Sequence, residues 1–95
     1  MRDEEFEWDD AKAARNWRDH GVSFEMARDV FTDIFAIEWI DDRRGDAEER
    51  FITVGMVERR LLFVVYTLRG ECIRIISARE AEPRERRKYH NESET

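Results

Sequence analysis

Hydrophobic residues recur along the chain with two different periods, and each period marks a different kind of element. Over Glu4 to Trp8, Phe6 and Trp8 alternate with acidic residues, the two-residue repeat of a short, half-buried edge strand. Asp9 is a good N-cap, and Asp10 to His20 predicts a helix with Ala13, Ala14 and Trp17 on its apolar stripe. Gly21 suits the left-handed residue that ends it. Ser23 can cap a second helix, in which Phe24, Ala27, Val30 and Phe31 share a face. Ile34 to Ile40, rich in β-branched and aromatic residues, then reads as a strand.

Three more strands are predicted over Phe51–Val57, Leu61–Thr67 and Cys72–Ala78, with connections short enough for hairpins. Leu61 to Tyr66 is apolar at every position, which places that strand in the centre of the sheet, covered on both faces. On the last strand, strict alternation puts Ile73, Ile75 and Ser77 on one face and Cys72, Arg74, Ile76 and Ala78 on the other. Pro83 suits the first turn of a final helix from Arg84 to about Asn91. Its only apolar body is Tyr89, so weak docking and fraying over residues 91–95 are expected.

The order β-α-α-β-β-β-β-α predicts one α+β domain over residues 1–95. Its antiparallel sheet has four to five strands, with two N-terminal helices packed on it and a short C-terminal helix. Charged residues, at 42 %, are as abundant as apolar ones, at 41 %, so the core must be thin beneath a densely charged surface. A single cysteine, Cys72, excludes an intramolecular disulfide and suits a reducing compartment. The acidic N-terminal segment has no apolar signal run, and no stretch is apolar for long enough to span a bilayer. A cytoplasmic protein without a membrane partner is expected.

Charge changes sign along the chain. The net charge is −6, with −8 over residues 1–50 and +2 over residues 51–95. Between Arg59 and Lys88 it reaches +5, eight of the nine cations there being arginine, so a local polyanion site is compatible with an acidic whole. Arg74, Arg79, Arg84, Arg86, Arg87 and Lys88 are concentrated there with Tyr89 beside them. Guanidinium groups match phosphate oxygens, as RNA would require, and they equally match the neighbouring carboxylates Glu80, Glu82 and Glu85.

His20, at a helix C-terminus, is a candidate for capping or for proton transfer, and Lys12 and Asn16 continue a polar stripe from it along the helix. The two histidines are far apart and no C-x-x-C or H-x-x-x-H spacing occurs, so no zinc site is expected. The acidic loop with Asp41, Asp42, Asp46, Glu48 and Glu49 lacks the ligand spacing of a calcium loop and reads as solvated. Four scattered glycines form no nucleotide-binding motif, and no cofactor is expected.

Three signatures in order resemble the BrnT family of type II toxin–antitoxin toxins. They are FEWDDAKAARNWRDHGVSFEMARDVF from Phe6, the EER ending at Arg50, and IRIISAREAEPRERRKYH from Ile73. The resemblance implies a RelE-like ribonuclease, active without a metal, that arrests translation and growth by cleaving RNA. It also implies a BrnA-like ribbon-helix-helix antitoxin, with operator DNA bound only through that antitoxin. Two departures stand out: Asp19 where the family has a basic residue, and Glu82-Pro83 in place of a small polar pair.

Under this resemblance Arg74 and Arg79 are the expected phosphate clamps, joined by Arg86 from the last helix. Tyr89 is expected to stack on or bond to a base, and His20, Glu49 and Lys12 are the candidates for proton transfer. The alternative is a non-enzymatic protein-binding module, or an inactive relic of the same fold, which the acidic net charge favours.

Overall fold

In chain order the elements are β1 (Phe6–Glu7), α1 (Asp10–His20), α2 (Phe24–Arg28), a 3₁₀ turn (Asp29–Thr32), β2 (Ile37–Asp41), β3 (Arg50–Val57), β4 (Arg60–Arg69), β5 (Cys72–Glu80) and α3 (Pro83–Ser93). They are seen in a computed structural model that describes residues 1–43 and 48–93. The expected place of Asp46 in an acidic loop, and of residues 94–95 in a frayed end, therefore lie outside the described residues. Among the described residues no helix is long and apolar enough to cross a membrane.

All three predicted caps form. The Asp9 side chain accepts the Lys12 N–H, Gly21 takes φ 65° and donates its N–H to the Trp17 carbonyl, and the Ser23 hydroxyl accepts the Met26 N–H. The predicted second helix tightens into the 3₁₀ turn after Arg28. There the turn lies flush on β3, because a Cβ at Gly55 would come within 2.9 Å of Val30 Cγ1 and 3.2 Å of the Val30 carbonyl.

Ile34 and Phe35, read as the start of a strand, lie outside β2. The Asp33 carboxylate accepts the N–H groups of Phe35 and Met56 at 2.9 and 2.7 Å, which turns the chain before Ile37 can pair with Val54.

One five-stranded sheet has the order β1-β5-β4-β3-β2. Four strands are antiparallel as expected, whereas β1 joins parallel to β5 through Phe6↔Ile73 and Glu7↔Arg74. The central strand is β4, buried from Leu61 to Thr67. On one face, α1 and α2 pack against β5 over a core that includes Phe6, Trp8, Phe24, Leu62, Val64 and Ile75. On the other face, α3 packs against β2 and β3 over Ile52, Val54, Leu61, Phe63, Val65 and Tyr89.

A shift in the β4–β5 register alters the faces expected for the last strand. Val65 pairs with Ser77 but Tyr66 with Ile75, so Ile76 is an extra residue on β5. Ile75 and Ala78 consequently share the helix-covered core, while Ile76 packs with the α3-side cluster.

The apolar stripe expected on α1 is also corrected. Trp17 is 60 % exposed, and Asn16, placed from sequence on a polar stripe, is buried. Its amide donates to the carbonyls of Val22 and Ala78 and its oxygen accepts the Ala78 N–H. The reason lies in the sheet: β1 pairs only as far as Arg74, so Ala78 would otherwise have no neighbouring strand on that side.

The last helix runs to Ser93 and is anchored by polar groups. Tyr89 is buried and donates its hydroxyl to Asp33 at 2.8 Å, while buried Glu85 folds back to accept the Glu82 N–H, the return bond of a capping box.

Candidate active site

Where α3 covers β2 and β3, the β4–β5 part of the same sheet face is covered by charged side chains instead of a helix. Phe63 on β4 forms its floor, directly opposite Arg79 on β5. The Arg79 guanidinium lies 3.9 Å above the Phe63 ring. Its Nη1 and Nη2 each donate to a Glu85 oxygen at 2.8 Å, and Nη1 also donates to the Glu80 carbonyl. These bonds fix the guanidinium in one orientation, and the bidentate Glu85 partner raises its pKa further above the usual arginine value. For Glu85 itself burial opposes ionisation, but Arg79 and the Glu82 N–H outweigh it and hold the carboxyl below its ordinary range.

A second guanidinium meets the same ring. Arg43, just after β2, sits 5.6 Å from the Phe63 centroid. Its Nε and Nη2 donate to the buried Asp41 carboxylate at 2.7 and 2.9 Å, which holds that carboxyl below its ordinary range. Two cations over one ring repel each other, and each is kept in place by its own carboxylate.

Between them lies a cleft of about 240 Å³ bordered by His20, Arg43, Phe63, Ser77 and Arg79. The C-terminal end of α1 brings His20 to it. A cleft of about 210 Å³ shares His20 and Ser77 and continues to Lys12 and Arg15. In the opposite direction, one of about 260 Å³ shares Arg43 and Phe63 and continues to Trp39, Ile52, Arg84 and Lys88. Joined through these shared residues, the three make one groove, cationic but for Asp19 at its α1 end and Glu85 at its α3 end.

Of the residues expected from sequence, the structure brings Arg79 and His20 to one cleft, places Lys12 in the adjoining one about 12 Å along α1 from His20, and separates the other four. Arg74 is paired across the edge with Glu7 at 3.2 Å, and it is five strand residues from Arg79, roughly 16 Å. Glu49 is exposed and lies beside Thr67, whose hydroxyl its carbonyl accepts, four strand residues from Phe63.

Arg86 is exposed and borders none of the three clefts; it follows Arg84 by two helical steps, about 200° around α3. Tyr89 is only 6 % exposed and spends its hydroxyl on Asp33, with burial first and that carboxylate second pushing its pKa up to about 12. No base can stack on it as placed.

Arg43 is the residue that sequence reasoning missed, being one charge among many in a polar loop. Its only local signal is the carboxylate two residues earlier. Of the acids expected in the solvated loop, Asp41 pairs with Arg43 and Glu48 with Arg69.

The arrangement offers two fixed guanidiniums, a histidine and flanking cations around a cleft, a set suited to a phosphodiester and to proton exchange beside it. Comparison with known families finds a match over residues 8–85 to the one described as ribonuclease toxin, BrnT, of type II toxin-antitoxin system. That span includes His20, Arg43, Arg79 and Glu85. No curated protein matches the chain.

Proposed function

We propose, from the premise that this chain belongs to the BrnT family of ribonuclease toxins of type II toxin–antitoxin systems, that it cleaves RNA without a metal ion in the cleft between His20, Arg43 and Arg79. Family membership supports the ribonuclease activity and an antitoxin partner. The observation that carries the site is the pair of guanidiniums held over Phe63 beside a histidine.

In this reading the RNA 2′-hydroxyl attacks the adjacent phosphorus. The O2′–P bond forms as the P–O5′ bond breaks, leaving a 2′,3′-cyclic phosphate and a 5′-hydroxyl. Arg79 and Arg43 stabilise the charge that grows on the phosphate oxygens. His20 exchanges the proton at the reacting oxygens, and Lys12 holds the strand on the α1 side. Translation then stops and growth is arrested in the cytoplasm. The neutralising partner is a BrnA-like ribbon-helix-helix protein, through which alone the complex meets operator DNA.

The test is cleavage of RNA by the purified, antitoxin-free chain in EDTA, beside Arg79→Ala and Arg43→Ala. Loss of one preorganised charge contact should lower the rate by about 10² to 10³ in a folded variant. A folded Arg79→Ala of full activity would remove the cleft from the reaction, and cleavage abolished by EDTA would overturn metal independence. The net charge of −6 favours a second reading, a binding module or inactive relic, under which expressing the chain alone leaves growth unaffected.

A further inference from the structure

We infer that the cleft between β2 and α3 is a nucleobase subsite, which takes the base next to the reacting phosphate of a single-stranded RNA. The inference rests on the ribonuclease reading above and adds to it the substrate's conformation and a specificity-bearing aromatic, Trp39.

Trp39, Ile52 and Phe63 make the cleft apolar beneath, while Arg43, Arg84 and Lys88 make its rim cationic. The one acid on that rim, Glu85, is already spent on Arg79 and the Glu82 N–H. A planar apolar body flanked by anions matches this pattern, and a nucleotide within a single strand is such a body. A base paired in a duplex cannot present its face in this way.

Position supports the same occupant. Arg43 and Phe63 line both this cleft and the one bordered by His20 and Arg79, so a base held here belongs to a nucleotide adjoining the reacting phosphate. Its volume, about 260 Å³, is one small section of that groove.

Trp39 packs edge-on against Phe63, with ring centroids 6.2 Å apart, and the Lys88 ammonium covers its ring at 5.2 Å. Besides the ring, Lys88 has among the described residues one ion pair, an exposed one with Glu92 at 3.4 Å, so its flexible stem can carry the ammonium from the ring to a phosphate as a base arrives. Trp39 thus takes the stacking role that buried Tyr89 cannot.

The test is titration of the full chain with a 2′-O-methyl oligoribonucleotide, which cannot be cleaved through its 2′-oxygen, and with an abasic strand of equal length. Fluorescence is read in a Trp17→Phe background, where Trp39 is the remaining tryptophan outside the core. The expected result is quenching of Trp39 by the base-bearing strand and binding about tenfold weaker for Trp39→Leu. The abasic strand should bind weakly and equally to both.

Equal binding of the base-bearing strand to Trp39→Leu and its parent overturns the subsite. Should Trp39→Leu not fold, equal affinity of the parent for the base-bearing and abasic strands overturns it as well. Quenching by the antitoxin with none by the oligonucleotide overturns it in favour of a protein contact. A chain that cleaves RNA yet shows no effect of Trp39 sinks this inference alone, whereas a chain that neither cleaves nor binds RNA sinks the ribonuclease reading with it.

Discussion

Ala78 lies on β5 beyond the reach of β1, and a single side chain takes the place of the missing strand. The Asn16 carboxamide accepts the Ala78 N–H at 3.1 Å and donates to its carbonyl at 2.8 Å, with a third bond to Val22 at 2.9 Å. Asn16→Ala would leave three buried backbone groups without partners, and should lower the unfolding free energy by about 3 kcal/mol, read from the urea midpoint. A loss under about 1 kcal/mol would mean that water replaces the amide. Sequence periodicity placed Asn16 on a polar stripe because polarity is read there as exposure. A polar residue that is buried to satisfy backbone groups carries no periodic signal. Arg43 escaped notice for a related reason: its role comes from Phe63, twenty residues away in sequence and joined to it only by folding.

At the scale of elements, α3 shows how polar anchoring can replace an apolar face. Its outward residues are charged, but Asp33 receives Tyr89 from α3 and Met56 from β3, and Glu85 receives Arg79 from β5. Burial works against ionisation of both acids most strongly. The Met56 and Phe35 N–H groups with the Tyr89 hydroxyl outweigh it at Asp33, as Arg79 and the Glu82 N–H do at Glu85, so both pKa values are lowered. An acid whose pKa is lower folded than unfolded stabilises fully above its unfolded value, and that stability is lost as pH falls through the folded one. Docking of α3 should therefore persist down to about pH 4 and weaken below it, as amide exchange along the helix would report. Exchange in α3 that is unchanged well below pH 4 would show that these acids do not hold the helix. The expectation of a weakly docked helix counted apolar residues alone, and these two polar anchors carry no apolar signal.

For the whole molecule, the net charge of −6 and the basic groove coexist because the fold gathers cations from four separate segments: α1, the loop after β2, β5 and α3. If three of these cations neutralise RNA phosphates, the logarithm of the binding constant should fall against the logarithm of salt concentration with a slope of about −2. Titration of a non-cleavable strand at several salt concentrations measures it, and a slope near zero would mean that phosphates are not the contacts.

The order and type of the elements, the central place of β4, the caps at Asp9, Gly21 and Ser23 and the likeness to BrnT toxins were determined by the sequence alone. Periodicity, capping chemistry and motifs are local properties that a chain carries before it folds. Which of its many arginines converge was decided only by tertiary structure. Strand register, the extra residue Ile76 and the short reach of β1 set where each side chain points. They bring Arg79 to Arg43 and His20 and leave Arg74 paired at the sheet edge.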